Sequence, residues 1–287
     1  HAAERMMKVL GEMKGLPLKA GQMLSYIDEM LPPEQRHIYN ELLGKLQNHT
    51  PSMEWVDVEE IFIEEFEGST PLDLFREFDP DPIAAASIGQ VYRAVLPDGE
   101  EVAVKVQYPG VAEALHSDIE NIESLVSAMS HMLPQADFAH FVEDIVSRIE
   151  EECDYEREAR NQRDFYYCWK GEDQVVIPRV HDELSRPRVL VTEFLRAPQW
   201  PEMLEIASDE LKAHYGEIIF KFVFQSLFGF GMFNGDPHPG NYMFYPDGRV
   251  GFIDFGCVQR FPDDQTKAFA ELRDAVLDGV RGPAFSK

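Results

Sequence analysis

The sequence predicts an α+β fold with two lobes, a first lobe that contains a small sheet and a second that is mainly helical. Short β-rich runs flank the turn Pro97-Asp98-Gly99, and others flank Pro246-Asp247-Gly248, as expected for two β-hairpins. Helical patterns fill most of the remaining chain, and a connector with two prolines begins near residue 197. We therefore expect a helical extension over residues 1–50, a sheet-containing lobe with inserted helices over 51–196, and a helical lobe over 197–287.

Charge and composition argue against several classes of protein. The 287 residues include 26 Lys and Arg against 52 Asp and Glu, a formal net charge of −26, so the basic surface that nucleic acids require is missing. Three cysteines without C-x-x-C spacing predict neither disulfides nor a zinc site and favour an intracellular location. The longest apolar stretch, residues 218–233, is short and contains Lys221, so it predicts a buried helix and not a membrane span.

The first elements along the chain are predicted to be helices. Residues 2–47 show helical patterns with two proline breaks, which predicts three helices. Residues 53–67 mix acids with apolar residues, a pattern typical of an amphipathic helix with a charged outer face. The apolar positions of this helix are Val56, Ile61 and Phe66. Residues 71–82 are predicted to form a loop.

Strands and helices follow in turn. Residues 87–96 and 101–108 are rich in β-forming side chains and predict the two strands of the first hairpin. Two helices are expected next, over 111–133 and 138–170. The remaining predicted elements are a short strand over 188–195, a helix over 210–230, and a second hairpin with strands in 241–244 and 250–256.

The second hairpin has the most specific chemical pattern. The segment NGDPHPGN, residues 234–241, is followed by the D-F-G motif that begins at Asp254. Asp236 and Asn241 are five residues apart, the spacing of the catalytic Asp and the metal-binding Asn in a protein-kinase catalytic loop. Because Mg²⁺ prefers oxygen ligands, we predict that Asn241 and Asp254 bind it and that Asp236 orients or deprotonates the phosphoryl acceptor.

The same residues also have an ordinary interpretation. Asp and Asn are common in turns, and Asp236, Asn241 or Asp254 alone would indicate no more than a turn. Their order and their positions on either side of a hairpin favour a catalytic site. His238, between two prolines, is a candidate metal ligand or acid, but we predict that it makes a structural hydrogen bond.

The first hairpin contains the candidate phosphate-binding residues. Lys105 lies in VAVK, which matches the V-A-I-K strand whose lysine contacts the α- and β-phosphates of ATP. Where a kinase has a glycine-rich loop this chain has alanines, which do not readily adopt positive φ, so we expect a stiffer loop. The predicted nucleotide contacts of this loop are Ala84, Ala85, Ala86 and Ser87.

Two further segments complete the predicted nucleotide site. A kinase lysine needs an acidic partner on the following helix, and the sequence pattern does not choose among Glu152, Asp154 and Glu158. Glu193 and Leu195 fall where a kinase hinge offers backbone groups to adenine, although a buried strand end would show the same pattern.

Together these motifs resemble the UbiB/ADCK family of atypical kinases. The resemblance covers nearly the whole chain and includes Lys19-Ala20-Gly21-Gln22, which is similar to the family's K-x-G-Q motif, and Glu152-Cys153-Asp154, which is similar to its E-x-D motif. It implies a bilobal protein-kinase-like fold in which Lys105 pairs with Glu158. It also implies that Glu152 and Asp154 help to anchor the N-terminal helices, with Lys19 and Gln22 pointing inward.

The resemblance further implies an activity. In this family the N-terminal extension occupies the place where a protein kinase accepts a peptide, so ordinary protein phosphorylation is not expected. The implied activity is ATP hydrolysis or phosphoryl transfer. The implied ligands are Mg²⁺ and a nucleotide, ATP or ADP, and the implied role is support of ubiquinone synthesis or lipid homeostasis. The implied partners are a lipid or quinone precursor and a membrane surface, reached from the cytoplasmic or organelle-matrix side. No A-P-E motif follows Gly256, so we expect part of the helical lobe and any membrane anchor to be missing.

Two other functions are compatible with parts of the sequence. The N-G-D-x-H-P-x-N segment also resembles the loops of aminoglycoside and choline kinases, which predicts a small-molecule phosphotransferase. The K-x-G-Q and E-x-D motifs argue against that alternative. A nucleotide-sensing scaffold without turnover is the second alternative, and the presence of all the catalytic side chains argues against it.

Overall fold

The computed structural model of the chain describes residues 53–86, 88–111 and 153–277. Its α and β content agrees with the predicted fold class. The predicted extension over 1–50 and most of the helices expected between 111 and 154 lie outside the described residues, as do the predicted site residues Lys19, Gly21, Gln22, Ser87 and Glu152.

The described elements follow one another in the order that the sequence indicates. The helices are α1 (Trp55–Glu65), α2 (Pro71–Leu74), α3 (Tyr155–Cys168), α4 (Trp200–Ile206), α5 (Asp209–Phe230) and α6 (Asp263–Leu277). The strands are β1 (Glu77–Phe78), β2 (Ala84–Ala85), β3 (Gly89–Val95), β4 (Glu101–Gln107), β5 (Val175–Val176), β6 (Val189–Glu193), β7 (Met232–Asn234), β8 (Tyr242–Phe244), β9 (Val250–Phe252) and β10 (Val258–Arg260). Short 3₁₀ turns lie at Asp182–Leu184 and Pro239–Asn241.

The chain divides into two compact units. Unit 1 contains the described residues up to 156 together with His181–Thr192. Unit 2 contains Arg157–Val180 and the described residues from 193 onward. Within the described ranges, no helix is both long enough and apolar enough to cross a bilayer.

Unit 1 is built on a sheet in the order β1-β3-β4-β6, with β2 also paired to β3. The predicted first hairpin is present, because β3 and β4 pair in antiparallel register with Val91 opposite Lys105. At its turn the amide of Leu96 donates to the carbonyl of Glu100 at 2.8 Å, and Gly99 has φ of 99°, a conformation that favours glycine. The Pro-Asp-Gly signal therefore located this turn correctly.

Helix α1 is present as predicted, and of its three expected apolar positions Ile61 and Phe66 are buried while Val56 is not. Val58, Ile61 and Phe62 are buried, whereas Val56 is 52% exposed. The ring of Phe62 lies 5.2 Å from that of Phe66 and packs against two further phenylalanines downstream. The side of the helix that faces this aromatic cluster is therefore the buried side. Helical spacing within residues 53–67 does not identify that side.

The loop predicted over residues 71–82 is wrong in part. Pro71 is the first residue of the short helix α2, and Thr70 and Asp73 form a capping box at its start. The side chain of Asp73 accepts hydrogen bonds from the amide and hydroxyl of Thr70 at 2.8 and 2.7 Å, and these bonds lower the pKa of Asp73. Strand β1 then pairs with β3. Prolines indicate a loop in the sequence, but proline is also favoured at the first position of a helix.

Unit 2 has its own apolar core around helix α5. Phe222 of α5 stacks on Phe252 of β9 with ring centroids 3.7 Å apart, and Trp169 packs on Phe222 while its indole nitrogen donates to Ser226 at 3.0 Å. Gly231 follows the last helical residue and has φ of 64°, the left-handed cap that glycine provides. One face of residues 218–233, which includes Ile218 and Phe222, thus belongs to a protein core as the sequence predicts, whereas Phe220 on another face is 65% exposed.

Unit 2 contains two small sheets, one of which includes the second hairpin. β8 and β9 are antiparallel, with Tyr242 opposite Phe252, and β5 pairs parallel with β9. β7 pairs antiparallel with β10, with Asn234 opposite Val258. The segment before β8 and the segment after β9 consequently meet at the same end of the hairpin.

Candidate functional site

Asp236 and Asn241 lie in one hydrogen-bonded loop between β7 and β8. The side-chain amide of Asn241 donates to both the Oδ2 and the backbone oxygen of Asp236, each at 3.2 Å. The backbone amide of Asp236 donates to the Oδ1 of Asn234, also at 3.2 Å. The two predicted catalytic side chains are therefore in contact, and Asn241 fixes the direction of the Asp236 carboxylate.

The D-F-G segment is tied to the same loop. Asn234 donates from its side chain to the backbone oxygen of Asp254 at 2.8 Å, and the amide of Gly235 donates to the carbonyl of Cys257 at 2.7 Å. The carbonyl of Asn241 accepts from the amide of Ile253 at 3.1 Å. Asn241, just before β8, and Asp254, two residues after β9, therefore lie at the same end of the β8–β9 ladder.

The segment after Asp254 is held in place by the core of unit 2. Phe255 is fully buried, and its ring centroid lies 5.0 Å from that of Phe165 on α3. The buried Asn161 donates to the carbonyl of Phe255 at 3.1 Å and accepts from Arg260 at 3.0 Å. These contacts fix the backbone that carries Asp254.

Glu158 also reaches this segment. It is 2% exposed, and its Oε2 lies 3.7 Å from the point that a Cβ on Gly256 would occupy. The Oδ1 of Asp254 lies 3.4 Å from the same point and accepts from the amide of Gly256 at 3.0 Å. Two carboxylates therefore flank one glycine.

His238 makes the predicted structural hydrogen bond. Its Nδ1 accepts from the backbone amide of Gly240 at 3.1 Å, which closes the 3₁₀ turn Pro239–Asn241. The neighbouring Tyr242 is buried; burial raises the pKa of its hydroxyl, and the charge of Asp236 raises it further. The phenol of Tyr242 therefore stays neutral beside the loop.

Lys105 lies on β4 in unit 1, where its ammonium is 5.0 Å from the ring centroid of Tyr155. Tyr155 is fully buried and directly follows Asp154, which is half-buried. Because Lys105 belongs to unit 1 and Glu158 to unit 2, their pairing stays a prediction.

The alanine-rich segment forms a strand edge. Ala84 and Ala85 pair with Val91 and Gln90 of β3, and the amide of Ala86 donates to the carbonyl of Gly89 at 2.8 Å. The side chains of Ala84 and Ala85 are exposed. This pairing agrees with a stiffer segment than a glycine-rich loop.

The predicted hinge residues Glu193 and Leu195 lie in unit 2. The amide of Glu193 donates to the carbonyl of Arg179 at 2.8 Å, so this N–H is not available to a nucleobase. Leu195 is 8% exposed, and its Cδ1 lies 3.1 Å from the point that a Cβ on Gly251 would occupy. Leu195 therefore packs against β9, close to the hairpin that carries Asp254.

Comparison with known proteins identifies the family of this chain. Residues 45–280 match the family described as the ABC1 atypical kinase-like domain. The chain belongs to this family. The match includes both hairpins, and it confirms the resemblance that the motifs indicate.

Individual members of the family support the same assignment. The mitochondrial atypical kinase COQ8B of Danio rerio is 34% identical over 288 residues, covering 99% of this chain and 45% of the relative. The mitochondrial atypical kinase COQ8 of Saccharomyces cerevisiae is 31% identical over 287 residues, covering 94% of this chain and 54% of the relative. The chain thus spans about half the length of these curated relatives.

A solved structure confirms the kinase-like fold. The Mycobacterium tuberculosis protein Rv3197, determined in complex with erythromycin, has a TM-score of 0.66 and 35% sequence identity, covering 97% of this chain and 71% of the other. The predicted α+β protein-kinase-like architecture is therefore correct.

The ABC1 site has a donor set that fits Mg²⁺. Asn241 uses its amide nitrogen on Asp236, which turns its oxygen to the opposite side, and Asp254 adds a carboxylate. Oxygen donors of this kind suit Mg²⁺, which takes one or two protein ligands and completes its octahedron with phosphates and water. Within the described ranges, no cluster of three or more His, Cys, Asp or Glu that could hold a metal ion is present.

Sequence reasoning missed several residues that contact the predicted site residues within each unit. Asn234 belongs to the N-G-D segment, where the motif alone assigns it no role, yet it connects the loop to Asp254. Asn161 and Tyr155 lie on α3 among many charged residues. The position of Tyr155 directly after the E-x-D motif is the feature of the sequence that could have marked it as a candidate site residue.

Lys105 and Tyr155 offer a direct test of the ammonium–ring contact. In a double-mutant cycle with Lys105→Met and Tyr155→Leu, we expect a coupling energy of about 0.5–2 kcal/mol in the free energy of unfolding. Tyr155→Phe, which keeps the ring, should retain most of that coupling. Urea denaturation of the four proteins measures it, and a coupling of zero would show that the ring does not stabilise the ammonium.

Proposed function

We propose that this chain is an ATP- and Mg²⁺-dependent kinase or ATPase domain of the ABC1 family, with water or a small molecule as acceptor. The observation that supports the proposal is the convergence of Asp236, Asn241 and Asp254 at one end of the β8–β9 hairpin. Three oxygen-bearing side chains on hydrogen-bonded backbone form the arrangement that phosphoryl transfer requires, because this reaction depends on positioning and charge stabilisation.

In the proposed reaction Asp236 receives the acceptor. Its carboxylate, held by Asn241, accepts a hydrogen bond from the acceptor hydroxyl or water. The acceptor oxygen bonds to the γ-phosphorus, the bond between that phosphorus and the oxygen of ADP breaks, and the acceptor proton passes to Asp236. Asn241 and Asp254 would hold Mg²⁺, which when bound neutralises charge on the β- and γ-phosphates.

The other predicted residues complete the proposal. Lys105 contacts the α- and β-phosphates, with Glu158 as its partner. The phosphates are covered by Ala84, Ala85, Ala86 and Ser87. Adenine binds at the segment that contains Glu193 and Leu195. The family's K-x-G-Q and E-x-D motifs would exclude a peptide acceptor. Their residues in this chain are Lys19, Gly21, Gln22, Glu152 and Asp154. We also propose that the extension, the sheet-containing lobe and the helical lobe span residues 1–50, 51–196 and 197–287.

The proposed biological setting follows the family. Relatives named atypical kinases are mitochondrial in Danio rerio and Saccharomyces cerevisiae, which supports an intracellular protein on the cytoplasmic or organelle-matrix side. We propose a role in ubiquinone synthesis or lipid homeostasis, with a lipid or quinone precursor as partner and a membrane surface as its location. The net charge of −26 argues against nucleic acid as a partner.

The decisive experiment measures phosphate release from MgATP by the purified chain, with and without phospholipid vesicles and a phenolic quinone analogue. We expect release that requires Mg²⁺ and rises with lipid or phenol. Tight nucleotide binding without release would contradict turnover by this chain and favour a nucleotide-sensing scaffold.

Asp254→Asn tests the proposed metal ligand. Because the substitution removes one charged donor, we expect Mg²⁺-dependent binding of ATP to weaken by about 10- to 100-fold. Calorimetry at fixed ATP and varied Mg²⁺ measures the change. Asp247→Asn is the matched control, because Asp247 lies at the turn of the same hairpin and contacts Arg249. Equal Mg²⁺ dependence in both variants would contradict the assignment of Asp254.

A further inference from the structure

A single peptide group of unit 2 connects helix α3 to the side chain of Asp254. Its carbonyl, that of Phe255, accepts from the side-chain amide of Asn161 at 3.1 Å. Its N–H, that of Gly256, donates to the Oδ1 of Asp254 at 3.0 Å. Because a peptide group is planar and rigid, the hydrogen bond at its carbonyl also fixes the direction of its N–H.

Arg260 on β10 extends these contacts to the surface of unit 2. Its Nη2 donates to the Oδ1 of Asn161 at 3.0 Å and to the Oδ2 of Asp164 at 2.6 Å. The side chain of Arg260 is 49% exposed, whereas Asn161 is 3% exposed. A hydrogen-bond series therefore runs from the guanidinium of Arg260, through the Asn161 amide and the peptide group of Phe255 and Gly256, to the carboxylate of Asp254.

The three hydrogen bonds of this series all point in the same direction. From Arg260 to Asp254, each group accepts from the group before it and donates to the group after it. Hydrogen bonds aligned in this way polarise and strengthen one another. The series also begins at a cation and ends at an anion, and hydrogen bonds to ionised groups are the strong ones.

Arg260 determines which way the amide of Asn161 points. The oxygen of this amide faces the guanidinium, and its nitrogen faces the carbonyl of Phe255. If the amide turned over, its N–H groups would face a guanidinium that only donates, and its oxygen would face a carbonyl that only accepts. Removal of Arg260 abolishes the first of these two conflicts, so the amide of Asn161 is held less firmly toward Phe255.

The direction of the Asp254 carboxylate depends on this series. The hydrogen bond from Gly256 to its Oδ1 restricts rotation of the carboxylate about the Cβ–Cγ bond. The packing of Phe255 on Phe165 anchors the same segment, but an apolar ring contact does not select the direction of a neighbouring N–H. Hydrogen bonds that orient a ligating side chain commonly change metal affinity by about 10- to 100-fold.

We propose that Arg260 is a positioning residue for Mg²⁺, because it orients the carboxylate of Asp254 through Asn161 and the peptide group of Phe255 and Gly256. The inference rests on the proposed function, in which Asp254 is a Mg²⁺ ligand, and it adds a residue on the surface of unit 2 that sets the affinity for the metal. Arg260 acts through Asn161 and has no part in the chemical step.

Arg260→Met tests this role through the Mg²⁺ requirement of ATP binding. We expect the Mg²⁺ concentration for half-maximal ATP binding to rise about tenfold, while ATP binding in EDTA stays unchanged. Loss of a nearby positive charge would by Coulomb attraction alone lower the Mg²⁺ requirement, so the sign of the change separates positioning from electrostatics. Calorimetry on the full chain measures both quantities. An unchanged or lower Mg²⁺ requirement would overturn the proposal, as would equal weakening with and without Mg²⁺.

Arg249→Met is the matched control for Arg260→Met. Arg249 also lies in unit 2, is 42% exposed and is paired with an aspartate, Asp247, at 2.9 Å. It lies at the turn of the β8–β9 hairpin, at the opposite end from Asp254. Its substitution removes the same charge and should not raise the Mg²⁺ requirement. An equal rise in both variants would show that the effect does not pass through Asn161.

Hydrogen exchange of the Gly256 amide tests the same series without nucleotide. Arg260→Met should speed this exchange by about 3- to 10-fold, the effect of one weakened hydrogen bond. The urea midpoint should stay near that of the original chain, because an exposed ion pair contributes little to stability. Faster exchange in a chain that binds no MgATP would refute the proposed function but retain the orientation of Asp254 by Arg260. Mg²⁺-dependent ATP binding with unchanged exchange at Gly256 would refute the inference about Arg260 alone.

Discussion

Asp236→Asn should lower the rate of phosphate release from MgATP by about 10²- to 10⁴-fold, the range that a positioned general base contributes. The substitution keeps the size of the side chain and removes the charge that accepts the acceptor proton. Because Asn241 and Asp254 supply the proposed metal ligands, the Kd for MgATP should change by no more than about twofold. Single-turnover kinetics with a parallel binding titration separates the two effects.

The outcome distinguishes three roles for Asp236. Loss of rate with unchanged binding supports its role at the acceptor. Loss of both would place Asp236 among the metal ligands, and an unchanged rate would assign the loop a structural role only. Asp264→Asn, at a charged position on the exposed start of α6, is the matched control and should leave both quantities unchanged.

The second hairpin was predictable because its signals are local. The turn Pro246-Asp247-Gly248 and the alternating runs beside it define β8 and β9, and pairing of these strands places the flanking segments at one end. The spacing of Asp236, Asn241 and Asp254 along the chain is therefore sufficient to imply that they lie close together. Local chemistry of this kind does not depend on the remainder of the fold.

Other features depend on partners that are distant in sequence. Asn161 lies 94 residues before Phe255, whose carbonyl it binds, and a polar residue on a charged helix gives no sign of such a partner. The exposed position of Val56 has a similar cause, since α1 packs through Phe62 on Phe75 and Phe78, which both lie in the segment predicted to be a loop. Tertiary packing determines both the partner of Asn161 and the exposure of Val56. The pattern of a short segment carries no information about contacts with distant parts of the chain.

The role of Gly89 also became evident only from the tertiary structure. In the sequence Gly89 lies in the predicted strand over residues 87–96 with no assigned role, but in unit 1 its Cα faces β4 and the start of α3. A Cβ at this position would lie 2.2 Å from the carbonyl oxygen of Val106 and 2.9 Å from the hydroxyl of Tyr155. The first atom belongs to the backbone of a central strand, so it cannot move aside without disturbing the β3–β4 pairing.

Gly89→Ala should therefore destabilise the chain by about 1–3 kcal/mol or more, the usual cost of overpacking a rigid site. Hydrogen exchange should show the loss concentrated in the amides of β3 and β4, and urea denaturation should show a lower midpoint. Gly216→Ala is the matched control, because Gly216 lies within α5 with no neighbouring atom within 4 Å of a new Cβ, and alanine there should stabilise the helix by about 1 kcal/mol.

The position of Gly89 connects this stability effect to the proposed nucleotide site. Gly89 accepts the hydrogen bond from Ala86 and lies against Tyr155, whose ring faces Lys105. A displaced β3 would move the alanine segment and the Tyr155 ring together, so Gly89→Ala should also weaken ATP binding at temperatures where the chain is still folded. Normal ATP affinity in a folded Gly89→Ala variant would show that this glycine serves packing alone.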